Sequence, residues 1–231
     1  MCISYINYFR ILVSVMINFY NVTLKHKNSR GIHNVSFDIE KGQFVYLMGP
    51  TGAGKSTIIN SIIKSVVPDS GQILVNNYDV SKLSENDLTI FRRDIGMVFQ
   101  DFKLINDRSI FENVALPLQI LGIPKKTIII KVEEILNKVG LKHKINSMPN
   151  ELSGGEQQKI CVARALIKNP KIVVADEPTG NLDPSSSDDI IDLLEKESKN
   201  GTTIIMATHN YPLIENRIKH FIELNNGKVV S

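Results

Sequence analysis

The chain has 231 residues, 42% hydrophobic and 22% charged, which suffices for a sizeable core in one domain and excludes wholesale disorder. Its 27 Lys and Arg against 24 Asp and Glu leave a net charge of only +3, and no dense basic stripe is present, so direct nucleic-acid binding is not expected. Two cysteines, Cys2 and Cys161, cannot build a disulfide framework and fit a reducing compartment.

The N-terminal stretch is apolar but interrupted by Asn7, Arg10 and Asn18, and no run approaches the ~20 apolar residues of a bilayer span. No small-residue cleavage site follows Ile11–Met16, so a signal peptide is not expected either. Residues 1–15 read as an extension, and 16–231 as a single domain. Ile17–Lys25 and Val35–Ile39 each alternate apolar with polar residues, which predicts two strands of an antiparallel patch. Phe44–Met48 is a continuous apolar run, as in a strand buried on both faces, and a helical pattern occupies Thr57–Val67. Two further buried strands, Lys171–Ala175 and Thr203–Ala207, alternate with helical patterns at Gln157–Lys168 and Ser187–Lys199. This order predicts an α/β fold with a parallel core sheet. Ile110–Leu121 and Lys125–Val139 are helical, punctuated by Pro117, Pro124 and Pro149. They predict an α-helical subdomain inserted at about residues 100–155.

Between the first buried strand and its helix lies Gly49-Pro50-Thr51-Gly52-Ala53-Gly54-Lys55-Ser56, followed by Thr57. Glycines let backbone N–H groups turn inward around phosphate oxygens; Lys55 adds a charge for the β- and γ-phosphates, Ser56 a hydroxyl for Mg²⁺, and the helix its dipole. Asp176 and Glu177 end the second buried strand. Read alone, such a pair more often ends a strand in water. Beside a phosphate loop, one carboxylate can hold Mg²⁺ while its neighbour, facing the other way, polarises water for in-line attack. His209 follows the third buried strand on the edge where such sheets bind nucleotide, placed to donate to a γ-phosphate. Leu152-Ser153-Gly154-Gly155-Glu156-Gln157 precedes a helix and offers a second anion site, through the Ser153 hydroxyl and free N–H groups. Spacing alone does not say why one chain carries two such devices.

Together these residues resemble the ATP-binding-cassette (ABC) ATPases over residues 16–231. Gly49–Ser56 is similar to the Walker A loop and Ile172–Glu177 to the Walker B strand with its glutamate. Gln100 is similar to the Q-loop glutamine, Leu152–Gln157 to the signature motif, Asn181-Leu182-Asp183 to the D-loop and His209 to the switch histidine. The resemblance implies a P-loop NTPase fold, hydrolysis of ATP to ADP and phosphate, and a head-to-tail homodimer. In that dimer Ser153, Gly154, Gly155 and Glu156 of one copy, with Asp183, complete the nucleotide site of the other. It implies Glu177, His209 and Gln100 as catalytic residues, and Ser56, Asp176 and Gln100 as Mg²⁺ ligands. The family's adenine-stacking aromatic falls, in register, on His26, whose imidazole offers a smaller flat face; Phe19 and Tyr20 are nearby alternatives.

A finer resemblance, carried by Phe99–Leu118 with Asp107-Arg108 and by Ala175–Asp183, is to the family's cell-division branch. It implies an integral-membrane permease as partner and a peripheral place on the cytoplasmic face of the inner membrane. Lipoprotein-releasing and macrolide exporters share Ala175–Asp183 and are the alternative. Soluble members acting on DNA or ribosomes fit less well, because they carry long coiled coils or two cassettes. Residues 101–121 follow Gln100 and read as a docking surface, although Phe102, Leu104, Ile105 and Phe111 suit a core equally well.

Overall fold

In the computed structural model, residues 15–25, 31–217 and 220–231 are described. Residues 1–14 of the extension and His26 lie outside them. The framework is a six-stranded sheet in which β3 (Phe44–Met48), β6 (Ile95–Val98), β7 (Ile172–Asp176), β8 (Thr203–Thr208) and β9 (His220–Asn225) run parallel; β10 (Lys228–Val229) turns back on β9. The spatial order is β10-β9-β3-β8-β7-β6. Strand periodicity divides the side chains between two cores. Val45, Leu47, Val174, Ile205 and Ala207 face one way, while Tyr46, Met48, Val173, Ala175, Ile204 and Met206 face the other.

The first face packs on Ile58, Ile59 and Ile62 of α1 (Lys55–Ile62), which is covered in turn by a four-stranded antiparallel sheet. That sheet has the order β2-β1-β4-β5. β1 (Val15–Lys25) and β2 (Gly31–Glu40) are the two strands expected from alternation, paired with Ile17 opposite Ile39. β4 (Ser70–Val75) and β5 (Tyr78–Asp79) extend the patch beyond that expectation. Their signal was the two-residue turn Asn76-Asn77, with φ 47° and 67°, the left-handed pair that a tight hairpin demands. Helix α1 is shorter than its apolar pattern suggests. Lys64 adopts φ 52° and Ser65 N–H donates back to the Asn60 carbonyl at 2.8 Å, a left-handed cap that ends the helix near Ile62. A further helix, α2 (Glu85–Arg93), is capped by Ser84, which accepts from Asp87 N–H.

The opposite sheet face packs on α5 (Gly154–Leu166) and α6 (Pro184–Lys199). Cys161, Val162, Ala165 and Leu166 of α5 face the sheet. Ile160, Ala163 and Ile167 face a separate cluster with α3 (Ile110–Ile120) and α4 (Lys125–Lys138). The helical layer therefore has its own core and shares α5 with the sheet. Any displacement of α5 is felt by both.

Candidate active site

Four neighbouring parallel strands deliver the expected residues to one edge. β3 runs into the loop 49–54, β6 into Gln100, β7 into Asp176 and Glu177, and β8 into His209. The carboxyl edge of such a sheet is where ligands bind, because the loops leaving it are free of the sheet's own packing. The loop's shape depends on its glycines. Gly49 has φ 144°, and a Cβ there would sit 2.3 Å from the Leu224 carbonyl oxygen; Gly54 has φ 108°, with Ile32 Cγ2 2.8 Å from such a Cβ. The loop is also braced from β9–β10, whose Asn226-Gly227 turn donates the Gly227 N–H to the Ala53 carbonyl at 3.0 Å. That brace was absent from the sequence reading, although Asn-Gly is a strong hairpin signal.

Lys55 is buried. Its ammonium donates to the Gly49 and Pro50 carbonyls at 2.8 and 3.2 Å and lies 3.3 Å from Glu177 Oε1. The other Glu177 oxygen, Oε2, meets His209 Nδ1 at 2.9 Å and accepts the His209 backbone N–H at 3.2 Å. Both carboxylate oxygens are thus held by donors from two other strand ends. Glu177 itself stands at φ 48°, a left-handed conformation that costs a non-glycine residue about 1–2 kcal/mol and aims the carboxylate between Lys55 and His209. Asp176 points to the other side, where its Oδ1 accepts from the Ser56 hydroxyl at 3.3 Å. Burial raises the Asp176 carboxyl above the usual range and the nearby Glu177 adds to this, while the Ser56 hydrogen bond and Lys55 oppose it. A raised carboxylate is one whose charge lacks sufficient compensation, so a cation beside Ser56 and Asp176 would supply what the protein alone does not.

A cleft of about 420 Å³ lies in front of these groups. It is lined by Thr51, Gly52, Gly54, Lys55, Ser56 and Thr57 of the loop and first helical turn, with Gln100, Glu177, His209 and Gly31 around them. Gly31, at the start of β2, was not singled out from sequence. The adenine side has changed from expectation in one respect: Phe19 is buried and stacked on Phe37 with ring centroids 4.5 Å apart, so it offers no free face. Tyr20 is 62% exposed.

The signature residues do not line this cleft. Ser153 caps α5: its hydroxyl accepts from Glu156 N–H at 3.3 Å, and the Glu156 carboxylate accepts from Ser153 N–H at 2.8 Å. The Ser153 backbone hydrogen bond holds the Glu156 carboxyl below its ordinary range. Gly154 and Gly155 form the first turn, and Gly155 is required sterically, because a Cβ there would lie 2.5 Å from Ser186 Oγ. Asp183 likewise caps α6, with Oδ1 accepting from Ser186 N–H at 2.9 Å and Oδ2 from the Ser186 hydroxyl at 2.6 Å. The loop 49–54 and the helix start at Ser153, expected from sequence as two anion sites, therefore lie on separate elements, and at the second the Ser153 hydroxyl already accepts from Glu156 N–H. Thr208, buried at the end of β8, accepts from Asn210 N–H and fixes the turn after His209.

A phosphate-type loop, a hydrogen-bonded Ser56–Asp176 pair and a Glu177–His209 pair on one sheet edge make the arrangement of a P-loop ATPase. The ABC transporter family model matches residues 32–180, and the chain belongs to that family. It is an ABC-type ATPase. Proteins named "Cell division ATP-binding protein FtsE" are 44% identical in Streptococcus pneumoniae, over 91% of this chain and 92% of that protein. The Escherichia coli protein of the same name is 39% identical, over 92% and 96%. Among solved structures, the dimeric bacterial ABC transporter cassette MJ0796 superposes with a TM-score of 0.84 at 37% identity, covering 94% of this chain and 97% of that one. The same cassette in a dimeric post-hydrolysis state bound to ADP and Pi matches with a TM-score of 0.84 at 36% identity, over 94% and 97%.

Proposed function

We propose that this chain is the ATP-hydrolysing subunit of a cell-division complex, FtsE-like, that works as a head-to-tail homodimer on an FtsX-like integral-membrane partner to control septal peptidoglycan hydrolases. The observation that carries the dimer is that Ser153–Glu156, at the capped start of α5, lie outside the lining of their own chain's cleft. The names of the relatives, similar over nearly their whole length, carry the cell-division role. No helix among the described residues is long and apolar enough to cross a membrane, so a place on the cytoplasmic face of the inner membrane would come through the partner.

In this reading residues 49–57 cradle the ATP phosphates through their backbone N–H groups, Pro50 excepted because it has none, and the Lys55 ammonium binds them as well. Lys55 exchanges its two loop carbonyls and Glu177 for phosphate oxygens. Ser56 and Asp176 offer hard oxygen atoms that would hold Mg²⁺, and Gln100 would add a further ligand or contact the γ-phosphate. A metal held there would supply positive charge against the negative charge that develops on the transferred phosphoryl group. Glu177, released from Lys55, orients and deprotonates the attacking water, and His209 donates to the γ-phosphate. Ser153 and Gly155 of the second copy, with its Asp183, close the site and exclude solvent. His26 remains the proposed adenine contact.

Gln100 is pressed against the D-loop. A Cβ on Gly180 would sit 2.8 Å from Gln100 Nε2, the far end of a flexible side chain that can yield. Gly180→Ala is therefore expected to leave the melting temperature nearly unchanged and to lower ATP turnover about tenfold by displacing the amide. Thermal melting and phosphate release on the same preparation check this.

Docking falls on the segment after Gln100. Phe102, Leu104 and Phe111 are half-buried and pack on the sheet–helix core and on the core of the helical layer, so they hold the segment in place. Asp107 and Arg108 are exposed, on a loop fixed by the buried Asn113, whose side-chain amide donates to the Ile105, Arg108 and Ser109 carbonyls and accepts from Ile105 N–H. Pull-down with the native membrane fraction tests the proposal. Recovery of an FtsX-like subunit, lost on reversing the charges of Asp107 and Arg108, supports it. Recovery of a lipoprotein-releasing permease instead overturns the cell-division role.

A further inference from the structure

Between Gln100 and the docking loop the backbone makes an uncommon turn. Lys103 N–H donates to the Asp101 carbonyl at 2.6 Å, two residues back, around Phe102 at φ 58°, and Lys103 follows at φ 52°. Two successive left-handed residues, one of them aromatic, are disfavoured conformations that persist only where their surroundings impose them. The surroundings here are one face of α5, the helix capped by Ser153. Gln158 donates to the Phe99 carbonyl at 3.1 Å, the Cys161 thiol to the Phe102 carbonyl at 2.9 Å, and Arg164 to the Phe102 and Lys103 carbonyls at 2.9 and 2.7 Å. The three side chains are spaced by three residues, which places them in a row along the helix. Asn181 of the D-loop supplies the missing rung, donating to the Gln100 carbonyl at 3.3 Å.

Gln158 and Cys161 are fully buried, and Arg164 is half-buried with no carboxylate among the described residues as an ion-pair partner. A guanidinium that gives its donors to two backbone carbonyls is committed to a backbone shape. The turn delivers the Phe102 ring to the signature motif, 3.8 Å from where a Cβ of Gly154 would stand.

We propose that Gln158, Cys161 and Arg164 are positioning residues that clamp the backbone of residues 99–103, so that the Gln100 segment and the helix beginning at Ser153 move as one body. This rests on the reading of Gln100 as the residue that senses ATP in its own cleft. A shift of Gln100 toward its own nucleotide then carries Ser153 and Gly155 toward the nucleotide of the second copy. Occupancy of one site becomes alignment of the other through a rigid connection rather than through the length of the sheet.

Arg164→Met keeps an unbranched apolar stem and loses every donor; Arg164→Lys keeps a cationic donor group without the planar two-nitrogen fork. For full-length protein in MgATP, Arg164→Met is expected to bind ATP within about twofold of wild type while turnover falls tenfold or more, a loss in kcat rather than KM. Arg164→Lys is expected to recover part of that loss, which a role in packing alone would not produce. Cys161→Ala, which removes one rung with little change in volume, is expected to lower turnover about threefold and serves if Arg164→Met does not fold. Wild-type turnover in folded Arg164→Met, equal loss in the Met and Lys variants, or unchanged turnover in Cys161→Ala overturns the clamp. Gln100→Ala measured in parallel separates the two failures. Normal turnover there overturns the reading of Gln100. Slow turnover there with normal Arg164→Met overturns the clamp alone.

Discussion

Replacing Glu177 by Gln is expected to lower ATP turnover by about 100- to 10,000-fold, the range for losing a positioned general base, while ATP still binds. The amide keeps the side chain's size and can still accept from the His209 backbone N–H, so the loop and cleft should persist. What it lacks is the charge that draws Lys55 and the basicity to take a proton from water. Losing the charge removes a competitor for the Lys55 ammonium, so ATP affinity should hold or rise. With hydrolysis blocked, the closed dimer should accumulate, and the protein should elute at twice its monomer mass on a sizing column in MgATP. Phosphate release and light scattering read the two effects independently. Undiminished turnover would remove Glu177 from the mechanism.

Lys55→Met is expected to act at the earlier step. The ammonium is buried, and its three partners are two carbonyls of its own loop and the Glu177 carboxylate. Exchange of these for phosphate oxygens replaces one set of charge-assisted contacts by another, and each such hydrogen bond contributes about 1.5–3 kcal/mol. Loss of two would weaken ATP binding by about 100-fold or more. Calorimetric titration with ATP should show it directly, and the rise in melting temperature that ATP gives the native protein should disappear. A variant that binds ATP like wild type would mean that the loop amides alone hold the phosphates. The two variants differ in kind. Glu177→Gln should be a tight-binding, slowly turning protein, and Lys55→Met a protein that never closes.

The parts of this molecule written in local sequence were legible. Phe44–Met48 had to be a strand buried on both faces, Gly49–Ser56 a loop that a Cβ would obstruct, and Ser153 the start of a helix; its reciprocal cap with Glu156 was passed over. Each of these depends on side-chain type at short spacing, and periodicity and capping chemistry are short-range. Even the hairpin at Asn76-Asn77, passed over, was present in that form. Family resemblance extended this reading to Gln100 and Asp183, whose spacing alone carries little information.

Tertiary structure decided the rest, for two physical reasons. First, the contacts that define the site join residues far apart in the chain. Ser56 meets Asp176, and Lys55 and His209 share the two oxygens of Glu177, only because β3, β7 and β8 lie side by side with their carboxyl ends level. Second, many decisive acceptors are backbone carbonyls, and a carbonyl has no signature in sequence. Nothing in the letters at 99–103 says that Gln158, Cys161 and Arg164 will grip them, or that Phe102 and Lys103 will turn left-handed to be gripped. The sequence by itself determined which residues could bind and cleave ATP. Only the fold decided that Lys55 lies beside Glu177, and that Ser153 stands outside the lining of its own chain's cleft, because strand order and helix packing, not spacing, set those distances.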